Sequence, residues 1–246
     1  MARQELWRDI EPNTFESISS RIARIGKTMS AGPLARDAYR ALAAQLPIEA
    51  LEALIARYGR TQGTNGPLKY LDCPYWLAHK LRHAIKLGLH TAPACRILDL
   101  GMGGGHFSYV CRQFHHDAVG IDVAFPLYDD LCRVLRVEKI VHRIRRGTPL
   151  PELNRRFEYV TAFASQFDFL GGDDYWSAED WIEFIARLKR EVLAPRGLIY
   201  FRVNKAWDRH SKKFSVKDQL AEAAAYFGGS FDWAIGELFI PASLNA

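Results

Sequence analysis

The sequence predicts an α/β protein with a doubly wound, seven-stranded sheet, mostly parallel with an antiparallel edge strand, preceded by a helical N-terminal cap. Two observations predict this architecture. Before residue 92, apolar residues recur at helical spacing and strand-like alternation is absent. From residue 96 onward, short apolar runs alternate with amphipathic segments, which is typical of parallel strands connected by helices. We therefore expect a helical cap over residues 1–92 and a sheet domain over residues 93–246.

The N-terminal cap is predicted to hold four helices. Their apolar residues repeat every three to four positions, and the segments are 14–29, 34–46, 48–59 and 75–89. Between the third and fourth helices, the polar and glycine-rich stretch "RTQGTNGP" is typical of a connecting loop. The fourth helix is expected to end at Gly88, because glycine readily adopts the conformation that follows a helix.

The sheet domain is predicted to contain seven strands. Short apolar runs place five of them at 96–100, 117–122, 139–144, 157–164 and 198–204, and two more in a hairpin with a two-residue turn at 231–240. The helices of this domain are predicted at 106–114, 126–135, 178–193 and 217–228. In such sheets, ligands bind at the carboxyl ends of the strands, where the strand order reverses.

The composition is that of a folded protein, with 48% hydrophobic and 25% charged residues. The four cysteines are far apart and form no C-x-x-C pair, so we expect reduced thiols rather than disulfides or zinc ligands. The adjacent His115 and His116 should point apart, so no metal site is predicted. No apolar run approaches the roughly 18 residues of a membrane span, and the charged N-terminus lacks the core of a signal peptide. These features predict a cytoplasmic protein.

A glycine-rich loop follows the predicted first strand in "RILDLGMGGGHF", residues 96–107. This strand–loop–helix context is the one that nucleotide-binding turns require. A dinucleotide fingerprint would need a glycine where His106 stands, and a phosphate-binding Walker loop would need a lysine that is missing. The loop therefore predicts a nucleoside-type ligand rather than a phosphate.

The motif that the segment does match is D-x-G-x-G-x-G, formed by Asp99, Gly101, Gly103 and Gly105. It resembles the first motif of the class I S-adenosylmethionine-dependent methyltransferases, which have a Rossmann-like fold. Asp122 ends the predicted second strand seventeen residues after Gly105, at the place where this family has an acidic residue. Further segments with the family's pattern extend the resemblance over roughly residues 94–240.

The resemblance implies a bound S-adenosylmethionine and a set of residues that hold it. In the family, the acid matching Asp122 accepts hydrogen bonds from both ribose hydroxyls, which suits a carboxylate with two acceptor oxygens. The cofactor-binding set that the resemblance implies is Asp99, Gly101, Met102, Gly103, Gly104, Gly105, His106, Asp122, Val123, Ala164 and Gln166.

The acceptor side of the site is expected just after the fourth strand, in "SQFD", residues 165–168. Asp168 is the candidate base or orienting residue, with a solvated loop acid as the alternative. Substrate-facing residues are expected at Tyr70, Trp76 and Asn204. The segment after the third strand departs from the family's pattern, since it is basic where many members have an acid. The adenine contact is then expected from a backbone amide or from Gln166.

The net charge of +5 mildly favours anionic partners, although a solvated basic surface is the commoner cause. Basic residues follow the third and fifth predicted strands, at Arg143, Arg145, Arg146, Lys205, Arg209, Lys212 and Lys213. The adenine and glutamine methyltransferase motif is absent after strand four, which argues against base flipping. The predicted function is methylation of a small-molecule or glycan hydroxyl. The alternatives are a non-catalytic cofactor-binding module that serves as a scaffold and an RNA methyltransferase, with a nicotinamide-dependent oxidoreductase ranked low.

Overall fold

The computed structural model describes residues 16–29, 32–58, 66–164, 176–203 and 215–242. These residues form eight α-helices: α1 (Ile18–Thr28), α2 (Pro33–Ala44), α3 (Ile48–Tyr58), α4 (Cys73–Lys86), α5 (His106–Gln113), α6 (Pro126–Val134), α7 (Ala178–Arg187) and α8 (Ser215–Tyr226). They also form seven strands: β1 (Arg96–Leu100), β2 (Asp117–Asp122), β3 (Glu138–Val141), β4 (Phe157–Phe163), β5 (Leu193–Arg202), β6 (Ser230–Asp232) and β7 (Glu237–Pro241). A 3-10 helix spans Pro67–Leu71, and a π-helix spans Leu188–Val192.

The described strands form a single seven-stranded sheet in the order β3-β2-β1-β4-β5-β7-β6. β1 runs parallel to both β2 and β4, and β4 runs parallel to β5. β7 runs antiparallel to both of its neighbours, β5 and β6. The chain thus passes from β1 outward to β3 and then returns to β4 on the other side of β1. This reversal confirms the predicted doubly wound, mostly parallel sheet and places the switch point between β1 and β4.

The chain divides into two compact units. The helical unit comprises the described residues within 1–93, 103–116 and 124–138, and the sheet unit comprises those within 94–102, 117–123 and 139–246. The helical unit therefore contains α5 and α6 in addition to the four helices that precede β1. A domain boundary at residue 92 stays a prediction.

The helical unit is held together through α4. Helices α1, α2 and α5 all pack against α4, and α3 packs against α6. Arg21 of α1 is buried with Asp72, the N-cap residue of α4, and its Nη2 lies 2.7 Å from Asp72 Oδ2. Asp72 also accepts a hydrogen bond from the Tyr75 backbone N–H at 3.3 Å. Each buried charge thus has a partner of opposite sign, and Asp72 also accepts a hydrogen bond from a backbone N–H in the first turn of α4.

The sheet unit has its own apolar core, formed by buried strand residues and the inner faces of α7 and α8. Trp176, Trp181 and Phe184 form an aromatic group there, and the rings of Trp176 and Trp181 are 4.9 Å apart. Ser177 is the N-cap residue of α7, and its hydroxyl and the Asp180 carboxylate each accept a hydrogen bond from the other residue's backbone N–H.

Three predicted boundaries are wrong. The first helix begins at Ile18 rather than at residue 14, whereas the helix predicted over 178–193 is confirmed as α7 followed by the π-helix that ends at Val192. β5 begins at Leu193 rather than at residue 198, with a bulge where Phe157 and Tyr159 of β4 pair with Leu193 and Leu198. The predicted third strand ends at Val141 rather than at residue 144.

The predicted two-residue hairpin turn is also wrong. Four residues separate β6, which ends at Asp232, from β7, which begins at Glu237. The Asp232 carboxylate accepts the N–H of Ala234 at 2.9 Å, and Gly236 closes the turn with φ +67° and an N–H that donates to the Asp232 carbonyl. An aspartate that binds the backbone two residues ahead favours this wider turn.

Candidate functional site

Asp99 lies in β1, near the carboxyl end of the strand, and its residue is only 2% exposed. Its Oδ1 accepts a hydrogen bond from the Thr161 hydroxyl at 2.9 Å. Thr161 is fully buried on β4, directly across from Asp99 in the parallel register. Because a buried carboxylate requires hydrogen bonds, Thr161 fixes the carboxylate at the switch point between β1 and β4.

The first part of the glycine loop is bound to the end of β2. The backbone N–H groups of Gly101 and Met102 both donate to the Ile121 carbonyl, at 2.8 and 3.2 Å. Gly101 has φ +67°, which a residue with a side chain rarely adopts. The Met102 side chain packs on Gly120 of β2, where a Cβ would lie 2.2 Å from the Met102 sulfur. Met102 thus anchors the loop, and its predicted contact with the cofactor stays a prediction.

The second part of the loop leads into α5 within the helical unit. Gly103 has φ +57°, and no described atom lies within 4 Å of the position that a Cβ would take. Gly104 differs, because a Cβ there would lie 2.8 Å from the Leu131 side chain and 2.9 Å from His106. Gly105, with φ +79°, is the N-cap residue of α5. Gly104 therefore serves packing, whereas Gly103 leaves open space in front of its backbone.

Asp122 is the last residue of β2 and is partly exposed. One of its carboxylate oxygens accepts the N–H of Val123 at 2.7 Å, which orients the carboxylate. Its backbone carbonyl accepts the N–H of His142 at 2.9 Å. The Val123 carbonyl in turn accepts a hydrogen bond from the Lys139 ammonium at 2.8 Å. The backbone on both sides of the Asp122 carboxylate is thus held by β3 and the residue that follows it.

Ala164 follows β4 with φ +56°, in the left-handed region that non-glycine residues seldom occupy. Its N–H donates to the carbonyl of Arg202, the last residue of β5, at 2.7 Å. Residues held in this way are often found where a strand end serves a ligand site. The conformation lies at the carboxyl end of β4, just before the segment that is predicted to face the acceptor.

His106 is the first residue of α5 and is 2% exposed. Its Nε2 lies 3.5 Å from the Cys73 sulfur at the start of α4. Burial, together with the nearby charge of Lys80, lowers the pKa of His106 to about 3. Burial also raises the pKa of the Cys73 thiol. The pair is therefore a neutral thiol beside a neutral imidazole, and it cannot serve as an activated nucleophile at neutral pH.

Tyr70 and Trp76 belong to an aromatic group in the helical unit. Their ring centroids are 4.7 Å apart, and the Tyr70 ring also stacks on His106 at 6.2 Å. Tyr128 meets Tyr70 edge-on at 5.5 Å. The Lys69 ammonium lies 5.2 Å from the centre of the Tyr70 ring, and the Trp76 indole N–H donates to the Lys69 carbonyl at 2.8 Å. The predicted substrate-facing role of Tyr70 and Trp76 stays a prediction.

Several predicted residues lie outside the described part of the chain: Gln166, Asp168, Asn204, Lys205, Arg209, Lys212 and Lys213. Three features of the candidate site were missed in the sequence. These are the Thr161 hydroxyl, the Lys139 ammonium and the left-handed Ala164. Thr161 interrupts the apolar run "FEYVTAF" and could have been noticed, whereas Lys139 and Ala164 carry no local signal.

The described residues contain no cluster of three or more histidine, cysteine or acidic side chains that could hold a metal ion. His116 is buried, and its Nε2 lies 2.8 Å from the Leu89 carbonyl, so it serves the fold. Among the described helices, none is long and apolar enough to cross a membrane.

No family model matches the chain, and no curated protein matches it. Solved structures that are similar include DesVI from Streptomyces venezuelae, at 18% identity over 55% of this chain with a TM-score of 0.42. The CcbJ methyltransferase from Streptomyces caelestis is similar at 18% identity over 49% of this chain, with a TM-score of 0.38. The amino pentose methyltransferase CalS10 from Micromonospora echinaspora is similar at 20% identity over 66% of this chain, with a TM-score of 0.40. The matches cover 53%, 47% and 58% of those chains, so this chain spans about half the length of each.

Proposed function

We propose that the chain binds S-adenosylmethionine at the carboxyl ends of β1 and β2 and transfers its methyl group to an acceptor. One observation carries this proposal. The glycine loop is hydrogen-bonded to the Ile121 carbonyl, and Asp122 is the next residue along β2. The tight turn and the acidic side chain are thereby held at one strand end, beside the switch point where doubly wound sheets bind their ligands.

The residues present fit a nucleoside ligand in two respects. Asp122 offers a partly exposed carboxylate whose orientation is fixed by the Val123 N–H, so it can accept two hydrogen bonds from neighbouring ribose hydroxyls. Gly101, in the same unit as Asp122, has φ +67° and allows the tight turn after β1. Asp99, two residues before Gly101, is fixed to β4 through its bond to Thr161.

The chemistry requires positioning more than activation. When bound, S-adenosylmethionine supplies a methyl group on a positively charged sulfur, which is already electrophilic. The acceptor atom forms a bond to the methyl carbon as the carbon–sulfur bond breaks, and S-adenosylhomocysteine is released. A hydroxyl acceptor must also lose its proton, and Asp168 is the base that we propose for it. His106 is unsuited to that task, because its imidazole is buried and its pKa lies at about 3.

The acceptor that we propose is a small molecule or a glycan hydroxyl, preferably one with an anionic group. Arg143 and Arg145 support this choice, because their side chains are exposed just after β3 in the sheet unit, whereas Arg146 pairs with Asp180 at 3.3 Å. A guanidinium binds the oxygens of a phosphate or carboxylate in a planar, two-point arrangement.

Calorimetric titration with S-adenosylhomocysteine tests the proposal. The wild type should bind it, and Asp122→Ala should weaken binding by about 100-fold because two charge-assisted hydrogen bonds are lost. Asp117→Ala is the matched control, since Asp117 is at the opposite end of the same strand, where its exposed carboxylate pairs with Arg155 at 2.9 Å. Absence of binding by a folded wild type would refute the proposal. Binding without methyl transfer to any acceptor would favour a non-catalytic module.

A further inference from the structure

A second candidate binding site lies wholly within the helical unit, and its residues are all different from those of the proposed methyl-transfer site. It is a cleft of about 360 Å³ formed by the end of α2, the outer face of α5 and the end of α6. That volume falls within the range of small-molecule sites. Its lining includes Tyr109, Arg112, Gln113, Val134, Leu135 and Arg136.

The cleft is positively charged at its rim. Arg112 and Arg136 are both exposed, and no acidic residue is among the described residues that line the cleft. Neither arginine has an ion-pair partner within the part of the chain that the structure describes. Arg133, three residues before Arg136, differs in this respect because it pairs with Asp130. Two guanidinium groups without a carboxylate favour an anionic ligand.

The backbone at Arg136 is left-handed, because this residue closes α6. The N–H groups of Arg136 and Val137 close α6 by donating to the carbonyls of Arg133 and Cys132, at 3.1 and 2.9 Å. This motif needs a left-handed residue, and Arg136 supplies it with φ +54°. Helix α4 ends in the same way, but with Gly88 at the corresponding place. Glycine would serve α6 at lower cost, but α5 also ends with a left-handed non-glycine residue, His115 at φ +66°, so the case for a ligand rests on the cleft and its two arginines.

The inner part of the cleft is suited to an apolar group. The Tyr109 ring is 4% exposed, and its hydroxyl lies 3.5 Å from the Leu42 carbonyl, to which it can donate. Val134 is half-buried and adds aliphatic surface, Leu135 lies at the lining but is only 3% exposed, and the Gln113 amide adds a hydrogen-bonding group. The lining thus combines an apolar inner surface with a cationic rim.

We infer that this cleft binds a small organic anion, with a phosphate or carboxylate group between Arg112 and Arg136 and a ring or short apolar body against Tyr109. The proposal is independent of the methyltransferase function, since it uses none of the same residues. The Arg136 guanidinium is also placed there by a strained backbone, so its contribution to binding and its cost to stability can be measured separately.

The inference can be tested by titrating the full chain with phenyl phosphate and with benzoate. Binding is measured by calorimetry and by the chemical shifts of backbone amides. We expect a Kd of about 1 mM or tighter for at least one of the two, with shifts at Arg112, Gln113 and Arg136. Phenol, which lacks the anionic group, should not bind. Equal binding of phenol, or shifts confined to other parts of the chain, would overturn the inference.

The variants separate binding from folding. Arg112→Gln and Arg136→Gly should each weaken binding by about tenfold. Arg136→Gly should also raise the melting temperature by about 3 °C, because it relieves the left-handed strain. Arg196→Gln is the matched control, since it removes an exposed arginine of β5 in the sheet unit, outside the cleft, and should leave binding unchanged. Unchanged binding in both cleft variants, or equal weakening in the control, would contradict a site at this cleft.

Discussion

His106 shows how the position of one residue sets its charge. A histidine after a glycine loop could be a base, a ligand or a packing residue, and the sequence does not distinguish these roles. The structure buries it against Cys73 and Tyr70, where water cannot solvate an imidazolium. The folded protein therefore keeps the ring neutral down to a pH near its lowered pKa of about 3.

This burial predicts a pH-dependent loss of stability. Between about pH 6.5 and pH 3 the unfolded chain binds a proton at His106 that the folded chain does not bind, so stability falls as the pH is lowered through that window. At pH 5 the loss from this residue should be about 2 kcal/mol. Urea unfolding at pH 7 and pH 5 measures the loss. In His106→Gln, the free energy of unfolding should fall between pH 7 and pH 5 by about 2 kcal/mol less than it falls in the wild type. Identical pH dependence in both proteins would show that His106 is not buried as described.

The sequence predicted turns and strand ends well where the local pattern has a single physical cause. The spacing of Asp99, the loop glycines and Asp122 reflects strand ends and a tight turn, and the structure places those turns and strand ends where they were expected. Thr161 and Lys139 act through neighbouring strands or loops that are distant in sequence, so their contacts depend on register. A single sequence does not give register when both faces of a strand are apolar.

At the scale of elements, α1 and α4 are joined by a buried charge pair rather than by apolar contacts alone. Arg21→Met should lower the free energy of unfolding by about 3–5 kcal/mol, because it leaves the buried Asp72 carboxylate without its cation. Arg24→Met, on the same helix, removes an exposed partner of Glu16 and should cost about 1 kcal/mol or less. Denaturant unfolding of the two variants makes the comparison. Similar losses for both would contradict a stabilising role for the buried pair.

The elements themselves were largely predictable, and the exceptions have physical causes. Helices and central strands follow the periodicity of apolar residues, which can be recognised in a single sequence. β5 starts early because Leu193 pairs with Phe157 ahead of a bulge that contains Pro195 and Gly197. Proline and glycine are typical of loops, so the sequence alone predicts a later start for this strand. The hairpin turn is wider than predicted because Asp232 binds the turn backbone, which competes with a tight two-residue turn.

At the scale of the whole molecule, each of the two units is built from three separate segments of the chain. The chain passes from one unit to the other after residues 93, 102, 116, 123 and 138. Strand–helix alternation predicts a doubly wound sheet, since right-handed crossovers leave few other topologies. It does not reveal that α5 and α6 belong to the same compact unit as the N-terminal helices, because that grouping depends on packing between segments far apart in sequence.

These crossings predict that the full chain unfolds as one cooperative system and that residues 93–246 do not fold alone. Removal of the N-terminal segment takes away α4, which packs against α5, and α3, which packs against α6. His106 and Tyr109 of α5 would then lose their contacts with Cys73 and with the Leu42 carbonyl. Circular dichroism and tryptophan fluorescence should give coincident melting curves for the full chain and no cooperative transition for the fragment. A fragment that melts cooperatively and binds S-adenosylhomocysteine would instead establish an independent domain beginning near residue 93, with the preceding helices as an accessory cap.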